Sequence, residues 1–162
     1  MKKLWILLAI GMVLCGCSAE DALETVADEM VQQVMAEPRE VLLTLPEEAV
    51  LPAMESENGV LYICRDFDVS VQTMEGGDFS KTLQTISGHT PEEITVVQTI
   101  CGDCTRFDFV WTSAGELGEQ ICRGCIFDDG TYHYSVTAMT DADLYEEYRE
   151  IWNGMFGTLG LS

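Results

Sequence analysis

The sequence predicts an α+β domain, a curved antiparallel sheet packed against helices. Three observations carry that expectation. Between residues 59 and 139, apolar and polar residues alternate in short β-branched and aromatic runs. Turn-forming residues punctuate those runs at Arg65-Asp66, in SAGELGE and at Asp128-Asp129-Gly130. The chain then closes on an amphipathic helical pattern rather than another alternating run.

The first residues form a separate segment. Lys2 and Lys3 precede an apolar run from Leu4 to Leu14. That run is about half the roughly 20 residues a membrane-spanning helix needs, so residues 1–16 read as a signal peptide. The run ends in Leu14-Cys15-Gly16-Cys17, which resembles the lipobox of bacterial lipoproteins. The resemblance implies a lipid such as palmitate on Cys17, whose sulfur is the nucleophile that accepts it. Gly16 supplies the small residue before the cut. One acyl chain binds a membrane only marginally and two anchor it stably. The expectation is a lipoprotein on the outer face of a bacterial cell membrane, its partners the membrane and a protein of the cell envelope.

Removing Lys2 and Lys3 with the leader leaves 6 basic and 28 acidic residues, a formal charge of −22. Such a surface repels nucleic acids and anionic headgroups. A nucleic-acid partner is therefore excluded.

Residues 17–39 read as the anchor and an acidic helical spacer. Leu23, Val26, Met30 and Val34 share one helical face, and Pro38 ends the pattern. Residues 40–162 read as one α+β domain. Glu40 to Leu45 predicts a short strand, and Pro46 to Gly59 a loop. In VLYICRDFDVSVQTM the parity of the apolar set switches near Arg65-Asp66, which predicts a tight hairpin or a bulge. Asp78 caps a short helix over FSKTLQTIS, and Gly88 ends it. Pro91-Glu92-Glu93 opens a helical turn. ITVVQTI, TRFDFVW, QICRGCIF and TYHYSVTAM are strands, the last of these ending the sheet. Thr140 or Asp141 caps the closing helix. Leu144, Tyr148, Ile151, Trp152 and Met155 form its core stripe.

This order of elements resembles the PsbP-like fold, a curved antiparallel sheet between helices, over roughly Glu40 to Leu161. The residues that carry it are the helix after GGDFSKT, the late strands around AGELGE and DDGTYHY, and the closing MFGTLGL. YICRDFDVSVQT and RFDFVW, with those turns, are also similar to small lipoproteins of Firmicutes. The resemblance implies a fold and a location. It carries no binding residues over.

The chemistry-bearing motif is CGDCTRFDFVWTSAGELGEQICRGC, in which two Cys-x-x-Cys pairs stand 17 residues apart. That spacing suits a zinc site of Cys101, Cys104, Cys122 and Cys125. A turn centred near Gly115-Glu116 sets a register with Asp108 facing Arg123, Phe109 facing Cys122 and Arg106 facing Cys125. Cys122 and Cys125 then point to opposite faces, against a metal. The same register makes Cys104 and Cys125 diagonal neighbours, candidates for a disulfide outside the cell. A Cys101–Cys104 bridge and plain buried thiols are the other readings. A turn centred at Ser113 would restore the zinc site.

His89 and His133 have no nucleophile pattern beside them, and Asp66-Phe-Asp68 and Asp141-Ala-Asp143 lack the remainder of a calcium loop. The reading is a binding or scaffolding protein, not an enzyme, with no cofactor. The alternative is a cysteine-dependent zinc-binding or thiol-redox protein on the cell exterior.

Overall fold

The computed structural model describes residues 36–47, 49, 52–115 and 118–162. The expected leader and Cys17 lie outside them, as does the acidic helix apart from positions 36 and 37. Residues 37–162 form one compact unit. No helix among the described residues is long and apolar enough to cross a membrane.

The strands are β1 (Val41–Leu42), β2 (Met54–Ser56), β3 (Gly59–Ile63), β4 (Phe67–Glu75), β5 (Val96–Cys101), β6 (Cys104–Ala114), β7 (Glu119–Asp128), β8 (Tyr132–Asp141) and β9 (Gly160–Leu161). The helices are α1 (Phe79–Ser87) and α2 (Tyr145–Gly157). Seven strands form an antiparallel sheet in the order β2-β3-β4-β8-β7-β6-β5. β1 and β9 form a separate antiparallel pair, Val41 opposite Leu161. The α+β class and the C-terminal helix are as the sequence predicts.

The sheet divides its side chains by parity. Phe67 and Val69 of β4, Cys125 and Phe127 of β7, and Tyr134, Val136 and Ala138 of β8 share a core with Tyr148, Trp152, Met155 and Phe156 of α2. Phe109 and Trp111 of β6, with Cys122 and Ile126 of β7, share another with Leu83 of α1. One helix therefore covers each face. β8 is buried on both, which is why its sequence is nearly all apolar or small.

The parity switch at Arg65-Asp66 is a tight connection between β3 and β4, closed by Cys64 N donating to Phe67 O at 2.9 Å. Asp78 caps α1: its Oδ1 accepts from Ser80 N at 3.0 Å. Gly88 ends the helix in the left-handed region, φ 77°. Asp78→Ala should cost about 1 kcal/mol, read as a lower urea midpoint. No loss would mean that the cap does not hold α1.

Five expectations need correction. The strand from Glu40 to Leu45 shrinks to two residues, because among the described residues β1 pairs with β9 alone, over Val41 and Leu42. The loop over 46–59 contains β2, which pairs with β3 across Glu57-Asn58. β8 is followed by β9. The cap residue of α2 is Leu144, with no side-chain cap bond. Thr140 instead lies in β8 and donates to Asp66 O at 2.6 Å, while Asp141 O accepts from Leu144 N. Ile151 of the expected core stripe is 37% exposed, and Phe156 takes the core position.

Candidate functional site

The register between β6 and β7 decides what the motif residues meet. Ala114 pairs with Glu119, and Gly115 N donates to Gly118 O at 2.7 Å across the turn. The turn centre therefore lies one residue beyond the expected one, and every cross-strand partner moves by two. Phe109 faces Gly124, Trp111 faces Cys122 and Asp108 faces Cys125. A shift of two preserves the face of each side chain. The physical reason is at Gly124: without a side chain, it leaves the space that the Phe109 ring occupies.

In place of the expected Asp108–Arg123 pair, Asp108 pairs with Arg106 on its own strand and Arg123 reaches α2. Arg106 makes a two-pronged bond to Asp108 on its own strand, Nε to Oδ2 and Nη2 to Oδ1, both 2.7 Å, and donates to Phe156 O at 2.9 Å. The bond to Asp108 holds the Arg106 guanidinium pKa above its ordinary value. Arg123 lies over the Phe156 ring, 4.5 Å from its centroid, and donates to Asn153 Oδ1 at 2.8 Å.

The cysteines part accordingly. Cys122 belongs to the α1 core, and Cys104 and Cys125 to the α2 core. Asp108 opposite Cys125 is four residues along β6 from Cys104, about 13 Å of strand. That is beyond the roughly 7 Å Cα reach of a disulfide. The Cys104–Cys125 bridge expected from the sequence rested on the displaced register. Cys101, Cys104, Cys122 and Cys125 are free thiols. No group of three or more His, Cys, Asp or Glu side chains among the described residues could hold a metal ion. Cys101 and Cys104 do meet, as directly opposed partners at the β5–β6 turn.

A feature the motifs do not announce lies on the α2 face. α2 covers β4, β8 and β7, and an open groove of about 650 Å³ remains between it and the β5–β6 side of the sheet. Ile94, Val97, Val110 and Tyr145 form its apolar wall; Asp108, Arg123 and Asn153 are polar groups within it. Val97 is 56% and Val110 51% exposed. Glu93 stands at the lining too. Thr90 N–H donates to its Oε2 at 2.7 Å and holds its carboxyl below the usual range, so that position stays anionic. β5 is the outermost strand and carries no charge over VVQTIC. The opposite edge, β2, is three residues long and contains Glu55. An uncharged, longer edge is the kind that accepts partners. The signal in the sequence was apolar residues at both parities of an otherwise neutral run.

Buried titratable groups lie elsewhere, His133 and Tyr148 among them. His133 is fully buried beneath α1, its Nδ1 2.7 Å from Thr82 Oγ1 and its Nε2 3.7 Å from Asp128 Oδ2. Tyr148 donates to Asp66 Oδ2 at 2.5 Å. The bond to Asp66, with burial, pushes the Tyr148 hydroxyl up to about 12. A free tyrosine titrates near 10. The folded state therefore holds this proton more tightly, so the stability it contributes is complete below about pH 10 and lost as pH rises towards 12. Tyr148→Phe should flatten part of that alkaline decline in urea midpoint, Tyr134 keeping its own raised share. An unchanged decline would remove Tyr148 as its cause.

No family model matches the chain, and no curated protein matches it. Solved structures do. LpqN of Mycobacterium tuberculosis, described as involved in cell envelope biogenesis, is 9% identical over 77% of this chain and 84% of its own, with a TM-score of 0.51. A Bacteroides thetaiotaomicron structure is 10% identical with a TM-score of 0.48; the match takes in 75% of this chain but only 45% of that one. Cyanobacterial PsbP (CyanoP) of Synechocystis is 8% identical over 75% of this chain and 82% of its own, with a TM-score of 0.48. The likeness to LpqN is one of fold.

Proposed function

We propose that this chain is an extracytoplasmic lipoprotein, held to a membrane through Cys17, that binds a partner of the cell envelope and performs no catalysis. The observation that carries the binding reading is the groove beside α2, open, with an apolar wall and a few polar groups fixed at Arg123, Asn153 and Asp108. That combination is how ligand and partner sites are built. The anchor rests on the leader and on Leu14-Cys15-Gly16-Cys17. A location in the envelope accords with the fold shared with LpqN. The kinship with PsbP-like and Firmicutes lipoproteins belongs to the same proposal.

The test has two arms in one bacterial host. Fractionation should find the wild-type chain in membranes and Cys17→Ser released; labelled lipid still entering Cys17→Ser would overturn the anchor. Crosslinking in whole cells should join the wild-type chain to one defined envelope component. Val97→Arg with Val110→Arg, both exposed and outside the cores, should lose it. Equal crosslinking by that variant would remove the groove from the binding reading.

A further inference from the structure

We infer that Cys101 and Cys104 close a reversible disulfide across the β5–β6 turn, making this corner of the sheet a thiol–disulfide exchange site for an external disulfide. The two residues are directly opposed in an antiparallel pair, so their side chains leave the same face. Opposed Cα atoms stand about 4.5–5.5 Å apart, inside the roughly 4.4–6.8 Å that a disulfide spans. The Cys104 thiol already leans over the turn, donating to Cys101 O at 3.1 Å.

The turn is held ready for this. Gly102, at its first central position, has φ 65°, and Asp103 follows with φ negative, the glycine-first two-residue hairpin. Asp103 is held in turn by Arg39, whose Nη1 lies 3.1 and 3.2 Å from its two oxygens.

The two sulfurs differ in access. Cys101 is exposed and Cys104 buried. Burial pushes the Cys104 thiol up, so Cys101 is the sulfur that attacks first. The remaining described pair is excluded: Cys122 and Cys125 are buried on opposite faces, and burial pushes Cys125 up to about 12.

The exchange balances in two steps. The Cys101 thiolate attacks R–S–S–R, forming a Cys101–S–S–R bond and releasing one thiolate. Cys104 then loses its proton and attacks the Cys101 sulfur, forming Cys101–Cys104 and releasing the second thiolate. The external disulfide is reduced to two thiols, and the protons of the two cysteines pass to them through water. Because the chain carries a net charge of −20, a neutral disulfide is the suitable probe.

The experiment equilibrates the full chain in detergent with hydroxyethyl disulfide and mercaptoethanol at graded ratios, alkylates what remains reduced, and maps the tryptic peptide of residues 82–106. That peptide holds Cys101 and Cys104 and no other cysteine. The expected result is one transition from a doubly alkylated peptide to an unalkylated one, two hydrogen atoms lighter than the reduced, unmodified peptide. The equilibrium should favour the bridge by about tenfold more in the folded chain than in urea, through the effective concentration the hairpin imposes. Cys104→Ser should accumulate the mixed disulfide on Cys101. A wild-type peptide that stays doubly alkylated, that stops at the mixed disulfide, or that closes no more readily folded than unfolded would overturn the inference.

Discussion

Trp152→Ala should cost about 3–5 kcal/mol, among the largest effects a single substitution produces. Trp152 is 1% exposed and stands where α2 meets the sheet. Its ring meets Phe67 of β4 edge-on, centroids 6.3 Å apart, and Tyr145 at 5.6 Å. Truncation removes the largest side chain of that core and leaves a void between a helix and a sheet that cannot close without moving α2. Against a total of about 5–15 kcal/mol for a domain, the variant would be partly unfolded or near it. Trp152→Phe should be milder. It keeps a ring, and it deletes an indole N–H that is buried without a hydrogen-bond partner among the described residues. Urea unfolding followed by circular dichroism reads both. A loss under about 1 kcal/mol for the alanine variant would show that α2 does not pack as described.

Gly124→Ala should cost about 1–3 kcal/mol although it adds only one methyl group. That methyl would fall 2.5 Å from Phe109 Cε2 and closer still to Cζ. The ring has nowhere to go: Phe109 is 3% exposed and stacked on Trp111 with centroids 5.4 Å apart. If the clash is the cause, Phe109→Ala should make the second substitution nearly silent, so the double variant loses less than the sum of the singles. Gly154→Ala is the internal contrast. It lies within α2 with open space around it, and alanine there should be neutral or stabilising by up to about 1 kcal/mol. Equal penalties at both glycines would remove steric contact as the explanation.

The sequence revealed what is periodic. Alternation exposed the strands, the Asp78 and Gly88 signals bounded α1, and the aromatic stripe of residues 148–155 marked α2. It did not reveal what depends on a contact between distant segments. β1 and β9 are two residues each and exist because they pair with one another; the run from Glu40 to Leu45 signalled a strand but not its length or its partner, and β9 was not signalled. The β6–β7 register was missed by two because parity is unchanged by such a shift, and only the fit of Phe109 onto Gly124 breaks the tie. The same error displaced the expected cysteine and ion-pair partners together. The groove was illegible for a related reason. It is the part of a face that α2 leaves uncovered, and a helix position relative to a sheet is written in no local stretch.

The strand order has a consequence for how the chain reaches this state. β5, β6, β7 and β8 follow one another through short turns, so their pairings close small loops. β4 pairs with β8 only after α1, β5, β6 and β7 have been passed, a closure with a greater entropic cost. The meander of β5 to β8 is therefore the natural nucleus, and the β2–β3–β4 hairpins arrive as a late flap. Amides in β7 should gain protection in a pulsed hydrogen-exchange experiment before those in β3. The flap is also the part whose loss during a partial opening would uncover Phe67, Val69 and the core beneath α2 while leaving the β5–β6 corner intact.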